Sequence, residues 1–214
     1  MATYINEPVL SSEKVQENMS KVLIATLYSP DPVLIAANKL GPDRLVLLVD
    51  KEPSKEQEKS LELIKSSLGR VIDVKVVKTE VYDVVDVARK AVEVIDMQPK
   101  EDEIYINITG GRKTKAIGLL FGAYARVSRV KKIIYYPEEK DTAPVFLPKL
   151  GFNLTDSQKK VLEYIEEGTF KTLMELSEKI ELSRAMLYRA VRELEEMGLV
   201  EDLKLTDAGK IARL

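Results

Sequence analysis

The first regular feature along the chain is the apolar run Val22 to Thr26, closed by Ser29-Pro30-Asp31-Pro32, a pattern that predicts a buried strand ending in a turn. Val33, Leu34, Ala37 and Leu40 then recur at helical spacing, with Pro32 where a first turn tolerates it and Gly41-Pro42 at the end. Leu45 to Val49 predicts a second strand. Pro53 opens a second helix whose Leu61, Ile64 and Leu68 face inward while Lys55, Glu56, Lys59 and Glu62 stay in water, and Gly69 stops it. Val71 to Val77 predicts a third strand. Val84, Val85, Ala88, Val92 and Ile95 form the stripe of a third helix closed by Pro99, and Ile104, Ile106 and Ile108 alternate along a fourth strand. After Gly110-Gly111 a fourth helix carries Ile117, Leu120, Phe121 and Tyr124, followed by a strand over Lys132 to Tyr136 and an extended piece near Val145 to Leu147. Strands alternating with helices in this way make an α/β fold, a Rossmann-like parallel sheet with helices on both faces. Residues 1–20 lack sustained periodicity and read as an N-terminal extension.

Around Pro148 to Asn153 the alternation gives way to closely spaced helices, which places a boundary there and divides the chain into 1–20, 21–150 and 151–214. Thr155 with Gln158 predicts a capping box for a helix bearing Val161, Leu162 and Ile165. Leu173, Leu176 and Ile180 mark a second short helix. Ser183 caps a third, with Leu187, Ala190, Val191, Leu194 and Met197 as its stripe and Gly198 at its end. Leu199 to Leu205 can supply two wing strands, and Thr206-Asp207 starts a terminal helix. The order is that of a small winged helix-turn-helix.

Composition narrows the chemistry. The 214 residues are 45% hydrophobic and 32% charged, enough for a substantial core on a soluble chain. There is no cysteine and no histidine, which removes disulfides, thiol nucleophiles, the usual zinc ligand sets and His-based acid-base catalysis. No metal and no cofactor is expected, and binding is favoured over catalysis. The N-terminal residues do not form a basic region followed by an apolar one, and no apolar run approaches membrane-spanning length, so a cytoplasmic protein away from the membrane is expected. The net charge of -2 excludes a generally basic surface, so any nucleic-acid contact must rest on a local patch.

Two loops have suitable chemistry, since open parallel sheets bind ligands beyond the carboxyl ends of their strands. Thr26-Leu27-Tyr28-Ser29 offers two hydroxyls and an aromatic ring after the first strand. Asn107-Ile108-Thr109-Gly110-Gly111-Arg112-Lys113 follows the fourth strand and runs straight into a helix. Paired glycines let the backbone approach a ligand, and cations at a helix start are unfavourable unless an anion offsets them. The plainer alternative is a tight turn with two solvated cations. Neither a Walker lysine motif nor a complete GxGxxG occurs, which argues against a nucleotide triphosphatase and a dehydrogenase. Gly118 and Gly122 share one side of the fourth helix and allow close approach to the sheet or to a second subunit.

In the C-terminal part, the third helix opposes its apolar stripe with Arg184, Ala185, Tyr188, Arg189 and Arg192, a grouping suited to phosphate and base contacts on double-stranded DNA. Ser183 at the helix start and Lys204 on the wing complete the expected DNA-binding set. Local acidity opposes it: from Asn153 onward there are 10 Lys plus Arg against 13 Asp plus Glu, and Glu201-Asp202 at the wing tip would repel phosphate. A winged helix used for protein contact is the competing reading.

The stretch Asn107-Ile-Thr-Gly-Gly-Arg-Lys-Thr-Lys115 after an apolar strand, with the Thr26 to Ser29 loop, resembles the CARF domain (CRISPR-associated Rossmann fold). Joined to a winged helix, the chain resembles the CARF and winged-helix transcription regulators of CRISPR loci. The resemblance implies a homodimer with a cyclic oligoadenylate, typically the tetramer, lying across its two-fold axis. It implies that Thr26, Tyr28 and Ser29 contact ribose or base, and that Asn107, Thr109, Gly110, Gly111, Arg112 and Lys113 hold phosphate. The nuclease domain of many CARF proteins depends on a histidine motif that this chain lacks. Some CARF domains cleave their own ligand, and for such a ring nuclease Lys113, Thr26 and Ser29 would be the catalytic candidates. A protein-interaction module is the third class, set apart by the absence of salt-sensitive DNA binding.

Overall fold

The computed structural model describes residues 19–214 apart from 138, 140–142, 152 and 169, so the N-terminal extension lies outside the described residues except for Met19 and Ser20. The first part runs β1 (Lys21–Thr26), α1 (Asp31–Leu40), β2 (Arg44–Asp50), α2 (Lys55–Leu68), β3 (Asp73–Thr79), α3 (Val84–Asp96), β4 (Glu103–Asn107), α4 (Lys113–Ala125), β5 (Val130–Tyr135) and β6 (Val145–Leu147). The sheet order is β3-β2-β1-β4-β5-β6, with β1 to β5 parallel and the edge strand β6 antiparallel to β5. The winding direction reverses between β1 and β4, which is where such sheets open a crevice.

β1 reads as an unbroken apolar run because it lies at the centre with both faces covered, and Val22 to Thr26 are all buried. Its alternate residues feed two cores. Val22 and Ile24 meet Ala91, Ile95 and Leu119 of α3 and α4, while Leu23 and Ala25 meet Val33, Ala37 and Ile64 of α1 and α2. Each fully buried Val, Leu or Ile side chain here contributes roughly 1.5–3 kcal/mol. β3 begins at Asp73 rather than Val71. Its register starts where Arg44 of β2 can pair with Asp73, so Val71 falls in the preceding turn and is 79% exposed.

α4 departs from expectation in the face it buries. Ile117 is exposed and Leu120, Phe121 and Tyr124 are only half-buried, whereas Lys115, Gly118, Leu119, Gly122 and Ala123 are buried. Gly118 and Gly122 face α3, neither the sheet nor a second subunit. An added Cβ would lie 2.5 Å from Val87 Cβ at Gly118 and 2.6 Å from Ala91 Cβ at Gly122. Two helices on the same face of a sheet thus approach more closely than side chains on both would permit.

The second part contains α5 (Asp156–Glu167), α6 (Leu173–Lys179), α7 (Arg184–Glu196), the hairpin β7 (Val200–Glu201) and β8 (Lys204–Leu205), and α8 (Asp207–Arg213). The Thr155–Gln158 capping box is present, and Ser183 accepts from the Met186 amide as α7's cap. Leu187, Ala190, Val191 and Leu194 enter a separate core with Val161, Leu162 and Leu176. Met197 does not join them. It stands beyond the last turn, half-exposed, and Gly198 at φ 69° redirects the chain so that Leu199 and Val200 are buried instead. α8 docks on the first part, packing Ile211 and Leu214 against Val85, Ala88 and Phe121. Arg126 also donates to the Leu214 carbonyl, and Arg89 pairs with Glu166 at 3.6 Å. Beside this contact lies a cavity of about 1870 Å³.

Candidate functional site

The loops after β1 and β4 are stitched to one another. Asn107, fully buried, donates to the Pro32 carbonyl at 3.0 Å and accepts from the Thr109 amide at 3.0 Å and hydroxyl at 2.6 Å. The Thr109 hydroxyl oxygen accepts in turn from the Tyr136 amide at 2.8 Å. Thr26, also fully buried, donates its hydroxyl to the Gly110 carbonyl. The glycines are demanded by this contact. A Cβ at Gly110 would sit 2.7 Å from the Thr26 carbonyl oxygen, and Gly111, at φ 78°, would place one 2.8 Å from Thr26 Cβ. Thr26 and Asn107, both fully buried, therefore hold the loop from beneath. Tyr28 and Ser29 are half-buried at the lip.

Arg112 and Lys113 are exposed at the start of α4. Arg112 occupies the cap position without capping, and the first turn contains no acid. The helix dipole and both cations therefore add there. Arg112's guanidinium carbon lies 5.9 Å from the ring centroids of both Tyr28 and Tyr82. Each such contact is worth about 0.5–1 kcal/mol at an exposed site. The Tyr28 hydroxyl donates to Glu56 at 3.1 Å, and that bond to a carboxylate holds the phenol pKa above its usual value. Tyr82, 76% exposed on the β3–α3 loop, was not singled out from the sequence, because nothing local links it to residue 112.

The other residue missed is Lys115. It is fully buried and donates to Asp50 at the end of β2 at 2.8 Å, while the second Asp50 oxygen stands 3.7 Å from Arg112 Nε. Burial pulls the Lys115 pKa down, opposed by the hydrogen bond to Asp50. Lys115 shares the buried face of α4 with Gly118, Leu119 and Gly122, a face that the helix's apolar pattern did not single out. Thr114 adds a tie from α4 to the Val81 carbonyl at 2.6 Å.

In the second part, Ser183, Arg184, Tyr188, Arg189 and Arg192 all lie on the exposed face of α7. Arg189 pairs with Glu193 at 2.7 Å and Arg192 with Glu196 at 2.9 Å. Lys204 is separated from them in environment. It is exposed at the start of β8 and is among the residues around the cavity beside α8, with Leu203, Tyr82 and Glu80.

The family model HFX_2341_N, described as "-like, N-terminal", matches residues 21–141. The chain belongs to this family. Residues 160–203 match the IclR helix-turn-helix domain, a DNA-binding type. The fold expected from the sequence, a Rossmann-like parallel sheet followed by a helix-turn-helix region, is the one the structure has. No curated protein sequence matches the chain. Among solved structures, Can2 from Sulfobacillus thermosulfidooxidans in complex with cyclic tetra-adenylate is similar at 15% identity and a TM-score of 0.49, over 90% of this chain and 62% of that one. Enterococcus italicus Csm6 bound to cyclic hexa-2'-fluoro-hexa-dAMP is similar at 14% identity and 0.49, over 86% and 57%. Protein VC1899 from Vibrio cholerae is similar at 11% identity and 0.49, over 85% and 59%. The chain thus spans about three fifths of the length of these structures.

Proposed function

We propose that the chain is a ligand-responsive DNA-binding transcription regulator of CRISPR loci, working in the cytoplasm as a homodimer that senses a cyclic oligoadenylate. The observation that carries the reading is the acid-free start of α4, where Arg112 and Lys113 stand exposed over the stitched Gly110-Gly111 loop. Such a helix start binds phosphate through backbone N–H groups and charge together. Tyr28 and Ser29 at the lip face ribose or base, and Arg112 and Lys113 take phosphates. A cyclic ligand on a two-fold axis lets each subunit contribute one such set.

Ligand binding acts on the second part through contiguous contacts. Thr114 ties α4 to the loop before α3, and Val85 at the start of α3 carries α8. The ligand shifts the arrangement of the two α7 helices only by its differential affinity for the two arrangements. Paired reading helices call for half-sites about one helical turn apart. Calorimetric titration of the full chain with cyclic tri-, tetra- and hexaadenylate tests the reading, the tetramer being expected to bind at one ring per two chains. Heat-silent titrations with all three rings would retire it.

A further inference from the structure

Beneath Arg112 lies an ion pair that the phosphate-binding reading does not use. Lys115 has no exposed surface and Asp50 almost none, and their charged atoms meet at 2.8 Å. A lysine is an adverse choice here on three counts. Burial lowers its pKa, Arg112 repels it, and it lies in the first turn of a helix, where cations are disfavoured. Apolar side chains in place of a buried pair are often neutral or stabilising, so stability does not account for it.

The two Asp50 oxygens suggest what does. One is held by Lys115, while the other faces Arg112 Nε at 3.7 Å, beyond a direct hydrogen bond. The residue is also fixed from the other side. Its amide donates to Gln57 at 3.1 Å, and Gln57 donates to the Leu27 carbonyl at 2.7 Å, which ties Asp50 to the loop after β1.

We infer that Lys115 is a positioning residue of the anion site: by occupying Asp50 from below, it keeps the carboxylate from closing on Arg112 and leaves the guanidinium free for phosphate. The inference rests on the reading of Arg112 as a phosphate ligand. Without the Lys115 charge, Asp50 retains Arg112 as its one ion-pair partner among the described residues and competes with phosphate for the same N–H groups.

The test is calorimetry with cyclic tetraadenylate on the full chain as wild type, Arg112→Ala, Lys115→Met and the double variant Asp50→Asn/Lys115→Met, each with a thermal melt. Lys115→Met is expected to bind about tenfold more weakly, and the double variant to return to within about threefold of wild type because no carboxylate remains to capture Arg112. A purely packing role predicts no such rescue. Lys115→Met binding like wild type, or a double variant no better than Lys115→Met, overturns the inference while a weak Arg112→Ala leaves the phosphate reading standing. Equal binding by wild type and Arg112→Ala overturns both. If Lys115→Met does not melt cooperatively, the double variant decides alone: affinity near wild type supports the role, and a loss beyond about tenfold refutes it.

Discussion

α4 and α7 begin alike and end up in different electrostatic surroundings. Each opens on a basic residue, Lys113 or Arg184, with no acid in its first turn. α7 resolves its charges within its own sequence. Ser183 caps it, and Arg189 and Arg192 meet glutamates four residues on, with side chains 81% and 80% exposed. Such pairs are worth about 0.3–0.5 kcal/mol and exchange readily for DNA phosphate. α4 has neither cap nor acid of its own, and draws its carboxylate, Asp50, from the end of β2. A flat, self-compensated face suits a duplex that replaces many weak pairs at once. An under-compensated helix start suits a small anion.

Several substitutions would break or sharpen this contrast. The largest effect is expected from Arg112→Ala, which removes charge-assisted bonds from the start of α4 and should weaken cyclic tetraadenylate about 10- to 100-fold by calorimetry. Gly118→Ala tests the seat of α4 itself. Its methyl would meet Val87 Cβ at 2.5 Å, so a loss of about 1–3 kcal/mol is expected in denaturant titration. Arg189→Ala should weaken an operator selected from a random duplex pool about tenfold without altering ring binding, and an unchanged affinity would discredit α7 as the reading helix.

A smaller effect concerns pH. The folded Lys115 pKa lies below its ordinary 10.5, so between those values the unfolded chain holds the extra proton. The burial penalty is full below the folded value and is relieved as pH rises toward 10.5. Wild type should therefore gain melting temperature relative to Lys115→Met over that window, and parallel curves would contradict the direction of the shift. The smallest effect is expected from Lys204→Ala. Because Glu201, paired with it across the hairpin, and Asp202 offset its charge toward phosphate, operator affinity should stay within about twofold.

The ligand-site residues divide by the range of the interactions that place them. Arg112 and Lys113 were legible because a strand, two glycines and a helix start are contiguous. Thr26 was legible as the end of a buried strand and Asn107 as a loop residue, but the carbonyls they hold, those of Gly110 and Pro32, are 84 and 75 positions away and were not legible as partners. Lys115 and Asp50 are 65 apart, and neither looks unusual until the two are brought together.

What the amino-acid order determined unaided was the succession of strands and helices, the Thr155–Gln158 box, the Ser183 cap and the exposed arginines of α7. Those features rest on periodicity and on contacts three or four residues apart, which the chain makes wherever it folds. Tertiary structure alone decided which face α4 buries, where β3 starts and what the two glycine pairs make room for. Each of these depends on the surface lying opposite, and packing and desolvation are set by that neighbour rather than by the local sequence.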